Sequence, residues 1–145
     1  MKGPKQLFHL ISYLQYPLYA GAIVFYVPFV RSLMDKAPNW TMLNYVLILF
    51  GVAISFSTLQ DTTKTQNKVS RKVWESPVKG KIALGFIALL AFSFVGVGLA
   101  LLYVSRSDTT ESIAVGITVL GIGLVGVLKS ALEMFENHRK DKILV

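Results

Sequence analysis

The chain has 145 residues, of which 53% are hydrophobic and only 16% are charged. A soluble domain carries about a quarter charged residues, so a soluble fold of this sequence would expose extensive apolar surface and aggregate. The formal net charge is +7. The basic residues lie between apolar runs, which favours anionic lipid headgroups over nucleic acid as a partner. The absence of cysteine excludes disulfides, thiolate metal sites and cysteine nucleophiles.

Four stretches of the chain contain no charged residue. They cover positions 6–30, 37–60, 82–105 and 112–128. A membrane-spanning helix needs about 20 mostly apolar residues, so we predict spans at 8–31, 40–60, 82–104 and 111–131. The fourth span relies on Lys129 reaching the headgroups with its long side chain. The sequence therefore predicts one all-α domain over residues 1–145, a polytopic membrane protein built as a four-transmembrane-helix bundle.

The first apolar run also resembles a cleaved signal peptide. Lys2 and Lys5 form a basic start, and Ala20-Gly21-Ala22 is typical of a cleavage point. Polar residues at the centre of the run, and apolar residues that continue beyond this point, favour a retained span. Pro17 and Pro28 each remove a helical hydrogen bond, which predicts a kinked first helix.

Other residues mark the ends of the predicted helices. Ser76 before Pro77 predicts a capping residue followed by a proline in the first turn. Asp108 followed by Glu111 is typical of a capping box that opens the fourth span. Positions 35–39 predict a turn between spans one and two.

The basic residues predict the orientation. Twelve of the fifteen lie at the N-terminus, in the loop 61–81 or from position 129 onward, and only Arg31, Lys36 and Arg106 lie on the other side. Basic flanks remain in the cytoplasm. We therefore expect a multi-pass protein of the cell (inner or plasma) membrane with both termini, the loop 61–81 and the tail 132–145 in the cytoplasm.

Polar residues form a stripe on each of the first two spans, at helical spacing. The candidates for lining a cavity between these spans are Gln15, Tyr19, Tyr26, Asn44, Ser55 and Thr58. The other interpretation is hydrogen bonding between helices. Bonding between helices is favoured because neither stripe contains an ionisable residue, which proton and ion pathways usually require.

Small residues follow one side of spans three and four. The glycines expected to pack these two helices together are Gly85, Gly96, Gly116, Gly123 and Gly126. Small residues allow close approach of helix backbones in lipid. Gly98 and Gly121 lie on the opposite sides and predict contact with a neighbouring helix or a second copy of the chain.

The loop 61–81 mixes basic residues with apolar ones. The residues expected to contact lipid headgroups or a partner protein are Lys64, Lys68, Arg71, Lys72, Trp74, Lys79 and Lys81. Clustered bases beside a membrane attract anionic lipids. The simpler interpretation is an orientation signal with an interfacial tryptophan.

Two further patterns are weak indicators of chemistry. Residues 121–126 match GxGxxG, but they lie within an apolar run and lack the strand-to-helix turn of a dinucleotide site. His9 and His138 are the only histidines, and both are expected at the interface. The sequence predicts no enzyme activity and no cofactor. The expected function is that of an accessory or assembly component of a membrane complex; the alternative is a small oligomeric transporter or channel.

Overall fold

The computed structural model describes residues 4–63 and 67–141, and the regular structure within these ranges is helical. The helices are α1 (Pro4–Ser12), α2 (Gln15–Met34), α3 (Trp40–Ser57), α4 (Lys68–Glu75), α5 (Pro77–Val104) and α6 (Asp108–His138). Four stretches are long and apolar enough to cross a bilayer: Gln6–Met34, Trp40–Ser57, Pro77–Val104 and Asp108–His138. The prediction of an all-helical chain with four long apolar helices is confirmed.

The first apolar stretch is interrupted between α1 and α2. Pro17 has no N–H with which to reach the carbonyl of Tyr13. That carbonyl accepts instead from the N–H of Tyr16, three residues ahead, at 3.2 Å. This tightened turn separates α1 from α2, as Pro17 predicts. Pro28 lies inside α2, and the helix continues past it.

Side-chain caps fix the starts of the long helices. Asn39, Ser76 and Ser107 each accept a hydrogen bond from a backbone N–H three residues ahead, at the starts of α3, α5 and α6. The prediction that Ser76 and Pro77 open a helix is confirmed. The predicted capping box at Asp108 is wrong by one residue. Ser107 is the cap, and Asp108 lies in the first turn, where its charge favours the positive helix end.

The turn between α2 and α3 reverses the chain through a left-handed residue. Lys36 has φ 56°, and its N–H bonds the carbonyl of Leu33 at 3.1 Å. The N–H of Ala37 reaches the carbonyl of Ser32 at 3.0 Å. This is the Schellman arrangement, in which glycine usually occupies the left-handed position.

The long helices lie side by side in the spatial order α2, α3, α6, α5. Within the described ranges, α2 packs extensively only on α3, and α5 packs on α6 and on the short α4. The row is open, so the helices do not close around a shared core as the predicted bundle would. Large apolar side chains such as Val24, Leu89 and Phe92 are about two-thirds exposed. Side chains of this kind on an outer surface are typical of helices that lie in lipid, which solvates them as well as a protein interior does.

One end of the row carries additional structure, which we call the α4 end. It comprises α4, the first turns of α5 and the last turns of α6. The segment expected to be a loop, 61–81, contains α4 and the start of α5. Helix α6 runs to His138, past the predicted span limit at 131, as the pair Lys129 and Glu133 leads one to expect.

Candidate interaction surfaces

Helices α3 and α6 run parallel and contact each other at a seven-residue repeat. The facing pairs are Asn44 with Gly116, Gly51 with Gly123, and Thr58 with Ser130. A repeat of seven keeps one seam in contact along two parallel, slightly crossed helices. At the centre, a Cβ on Gly123 would lie 2.5 Å from the carbonyl oxygen of Gly51. The two backbones are therefore as close as glycine allows.

Two residues of the polar stripe of the second span, Asn44 and Thr58, face α6. A Cβ on Gly116 would lie 2.6 Å from Asn44 Oδ1, which is buried and accepts no hydrogen bond from the described residues. Ser130 donates its hydroxyl to the carbonyl of Thr58 at 3.0 Å. Ser55 is exposed and bonds back within its own helix. The expectation that these residues line a cavity against span one is wrong: Asn44 and Thr58 lie directly against the small residues of α6, and Ser55 is exposed.

The polar stripe of the first span divides between two environments. Gln15 is buried, with 6% of its surface exposed. The ring of Tyr19 packs on Phe50 of α3, with 5.5 Å between the centroids. Tyr26 is half-exposed at 51%. Tyr19 thus joins α2 to α3, Gln15 is buried, and Tyr26 extends outward.

Helix α5 contacts α6 through Gly98, which lies on the side of span three opposite to the predicted packing glycines. A Cβ on Gly98 would collide with the side chain of Thr118, and a Cβ on Gly121 would lie 2.7 Å from the backbone nitrogen of Val95. Cβ atoms on Gly85 and Gly96 would meet nothing within 4 Å. The prediction that spans three and four pack together is confirmed, but the prediction that Gly85 and Gly96 make this contact is wrong.

Helix α6 therefore has two small-residue faces, one for each neighbour. Gly116, Gly123 and Gly126 face α3; for the last of these, a Cβ would lie 3.1 Å from Cγ2 of Thr58. These three were predicted to pack against span three, whereas they contact α3. A helix in the middle of a row needs close approach on both sides, which explains why α6 carries glycine at Gly121 as well.

The α4 end is held together by aromatic packing and short polar contacts. A Cβ on Gly80 of α5 would collide with the ring of Phe135 of α6. Phe135 is buried, with 4% of its surface exposed. The guanidinium of Arg139 lies over the same ring, 5.7 Å from its centroid. Ser70 of α4 contacts the sulfur of Met134 at 3.8 Å. Sequence reasoning missed this cluster, although Phe135 in a polar tail was a signal for it.

Glu75 is the centre of an ion-pair network at this end. It bonds Arg71 at 2.5 Å on its own helix and Lys140 at 2.8 Å on the C-terminal segment. The hydrogen bond from Arg71, then that from Lys140, lowers the pKa of Glu75 to about 2. The same contact raises the pKa of Arg71. On the last turn of α6, Glu136 pairs with Arg139 at 3.4 Å.

The predicted basic set separates into paired and unpaired residues. Lys68, Lys72, Lys79 and Lys81 are exposed, and none forms an ion pair with a carboxylate in the part of the chain that the structure describes. Arg71 is occupied by Glu75, and Trp74 is half-buried. Lys64 lies outside the described residues. The acidic side chains of α4 and of the end of α6 pair with cations other than these four exposed lysines.

At the opposite end, two open depressions lie near the turn between α5 and α6. The larger, of about 400 Å³, is lined by residues that include Arg106, Ser107 and Thr110. The smaller, of about 140 Å³, lies between Trp40 and Asp108. None of the residues predicted to line a cavity borders either depression.

The two histidines have different local partners. The ring of His9 packs edge-on against Tyr13, with 5.4 Å between centroids. Nδ1 of His138 lies 2.8 Å from the carbonyl of Met134, one turn earlier on α6.

No protein family, curated protein or solved structure matches this chain.

Proposed function

We propose that this chain is a non-catalytic integral membrane protein that serves as an accessory or assembly component of a membrane complex. The observation that carries the proposal is the open row of helices. The outer helices α2 and α5 each pack on only one other long helix in the described ranges. Each outer helix therefore offers a continuous outward face to other membrane helices.

The outward face of α5 supports this role. Gly85 and Gly96 are open on it, and Leu89 and Phe92 are about two-thirds exposed beside them. Small residues next to large ones form a groove into which a partner helix can pack closely. Such packing is how membrane helices associate when lipid competes for apolar contact.

The alternative function, a small oligomeric transporter or channel, has less support. Transport sites use polar or charged groups that line a path between helices. Asn44 and Thr58 instead contact α6 directly, and Tyr26 extends outward. In proteoliposomes, Gln15→Leu and Asn44→Leu should leave any measured flux unchanged; a selective loss in these variants would support transport.

The proposed placement has both termini and the α4 end in the cytoplasm, in the plasma membrane. It rests on the twelve basic residues of the N-terminus, the segment 61–81 and the positions from 129 onward, and on the rule that basic flanks remain inside. An enzyme reporter that is active only in the cytoplasm, fused after Val145, should be active. Activity of a periplasmic or extracellular reporter at the same site would contradict the orientation.

The assembly role is tested by crosslinking from defined positions. The chain has no cysteine, so a single cysteine introduced by Leu89→Cys or Val24→Cys can carry a photo-crosslinker on an outer face without background. We expect a stoichiometric partner to co-purify in mild detergent and to crosslink from one of these sites. The buried position Ala91→Cys is the matched control. A chain that purifies alone and crosslinks only to lipid from both outer faces would refute the role.

A further inference from the structure

We propose that Lys68, Lys72, Lys79 and Lys81 form a binding surface for anionic lipid headgroups in the leaflet next to the α4 end. This goes beyond the assembly role and rests only on the membrane placement. We call these four residues the lysine patch. All four side chains are exposed.

The first step in the argument is the distribution of charge. The described acidic residues of α4 and the end of α6 form ion pairs with cations other than these lysines. The pairs are Glu75 with Arg71 and Lys140, Glu133 with Lys129, and Glu136 and Asp141 with Arg139. The lysine patch therefore carries four positive charges that the described part of the chain does not neutralise.

The second step is the position of the patch relative to the apolar surface. Val78 and Ile82 are 67% and 68% exposed, and their spacing of four places them on one face of α5. Lys79 and Lys81 flank that face, and the apolar run of α5 begins directly afterwards. A lysine in the first turn of a membrane-spanning helix lies at the level of the lipid headgroups. There its methylene stem contacts acyl chains and its ammonium contacts phosphate.

The third step concerns α4. Lys68 and Lys72 are one turn apart and lie on one side of this helix. Val69 beside them is 71% exposed. Helix α4 packs against α5 and α6 and carries an exposed valine beside two unpaired lysines. An anionic membrane surface fits this combination, because it solvates the apolar side chain and attracts the charged ones. An acidic protein partner would satisfy the charges but would leave no reason for apolar residues at the bilayer edge.

The proposal is tested by lipid titration of the full chain in detergent, read by native mass spectrometry. The probes are phosphatidylglycerol and phosphatidylcholine with identical acyl chains. Each lysine near a membrane surface contributes about 1 kcal/mol, or about five-fold, to the attraction of anionic lipid. We expect the first phosphatidylglycerol to bind at least about five-fold more tightly than phosphatidylcholine, and this preference to fall as ionic strength rises from about 0.05 to 0.5 M.

The decisive variant replaces the patch: Lys68→Gln, Lys72→Gln, Lys79→Gln and Lys81→Gln together. Its preference should fall to less than about two-fold, since each substitution removes one attractive charge. The control replaces the three cations of the other end, Arg31→Gln, Lys36→Gln and Arg106→Gln, and should retain the preference. If the fourfold variant does not fold, the two double variants, Lys68→Gln with Lys72→Gln and Lys79→Gln with Lys81→Gln, carry the test, and each should lower the preference. Equal binding of the two lipids by the unaltered chain, or an unchanged preference in the folded fourfold variant, would overturn the proposal.

Discussion

The contact between α3 and α6 gives a prediction whose size follows from one distance. In Gly123→Ala, the new Cβ would lie 2.5 Å from the carbonyl oxygen of Gly51, while ordinary contact begins at 3.4 Å. The helices must therefore separate by about 0.9 Å at this point. A gap of 0.5–1 Å removes about a quarter to a half of the dispersion energy of each affected contact. Overpacking of this kind costs about 1–3 kcal/mol.

The matched control is Gly96→Ala on the open face of α5, where a Cβ meets nothing within 4 Å. Both substitutions raise helix propensity by up to about 1 kcal/mol, so the difference between them isolates the steric cost. We expect Gly123→Ala to be less stable than Gly96→Ala by about 1–3 kcal/mol. The measurement is unfolding by sodium dodecyl sulfate in mixed micelles, followed by circular dichroism. Equal shifts in the two variants would refute the close approach of α3 and α6.

Three further predictions follow from local contacts. Lys36→Gly should raise the free energy of unfolding by about 1 kcal/mol, because glycine adopts the left-handed conformation without steric cost; a destabilised variant in the same micelle assay would contradict this. Arg71 holds the pKa of Glu75 near 2, below its ordinary value of 4.5. The ion pair therefore stabilises α4 fully above pH 4.5, and this contribution is lost as the pH falls through 2. Amide exchange in α4 should thus be faster in Glu75→Gln than in the unaltered chain at pH 6, and this difference should shrink as the pH falls toward 2; equal exchange at pH 6 would contradict the pair. Ser130→Ala should lower stability by about 0.6 kcal/mol through loss of the bond to Thr58, and an unchanged free energy of unfolding would argue against that bond.

Much of the local structure could be predicted from the residues alone. The absence of charge over long runs identified the four long helices, because an apolar run of about 20 residues is long enough for a helix that crosses a bilayer. Pro17 predicted the break in the first stretch, and Ser76 with Pro77 predicted the start of α5. Helix α4 was missed because a run of basic residues has the composition of a solvated loop. The pair Arg71 and Glu75, four residues apart, was the signal that could have revealed it.

By itself, the sequence determined which residues share a helix face, since that follows from the period of 3.6 residues per turn. It placed Asn44 and Thr58 on one face and Gly116 and Gly123 on another. Only the tertiary structure decided that these two faces meet, and that Gly98, not Gly96, joins α5 to α6. The physical reason is that a small-residue face accepts any helix of suitable shape. The partner is chosen by the packing of the whole row, which no single helix encodes.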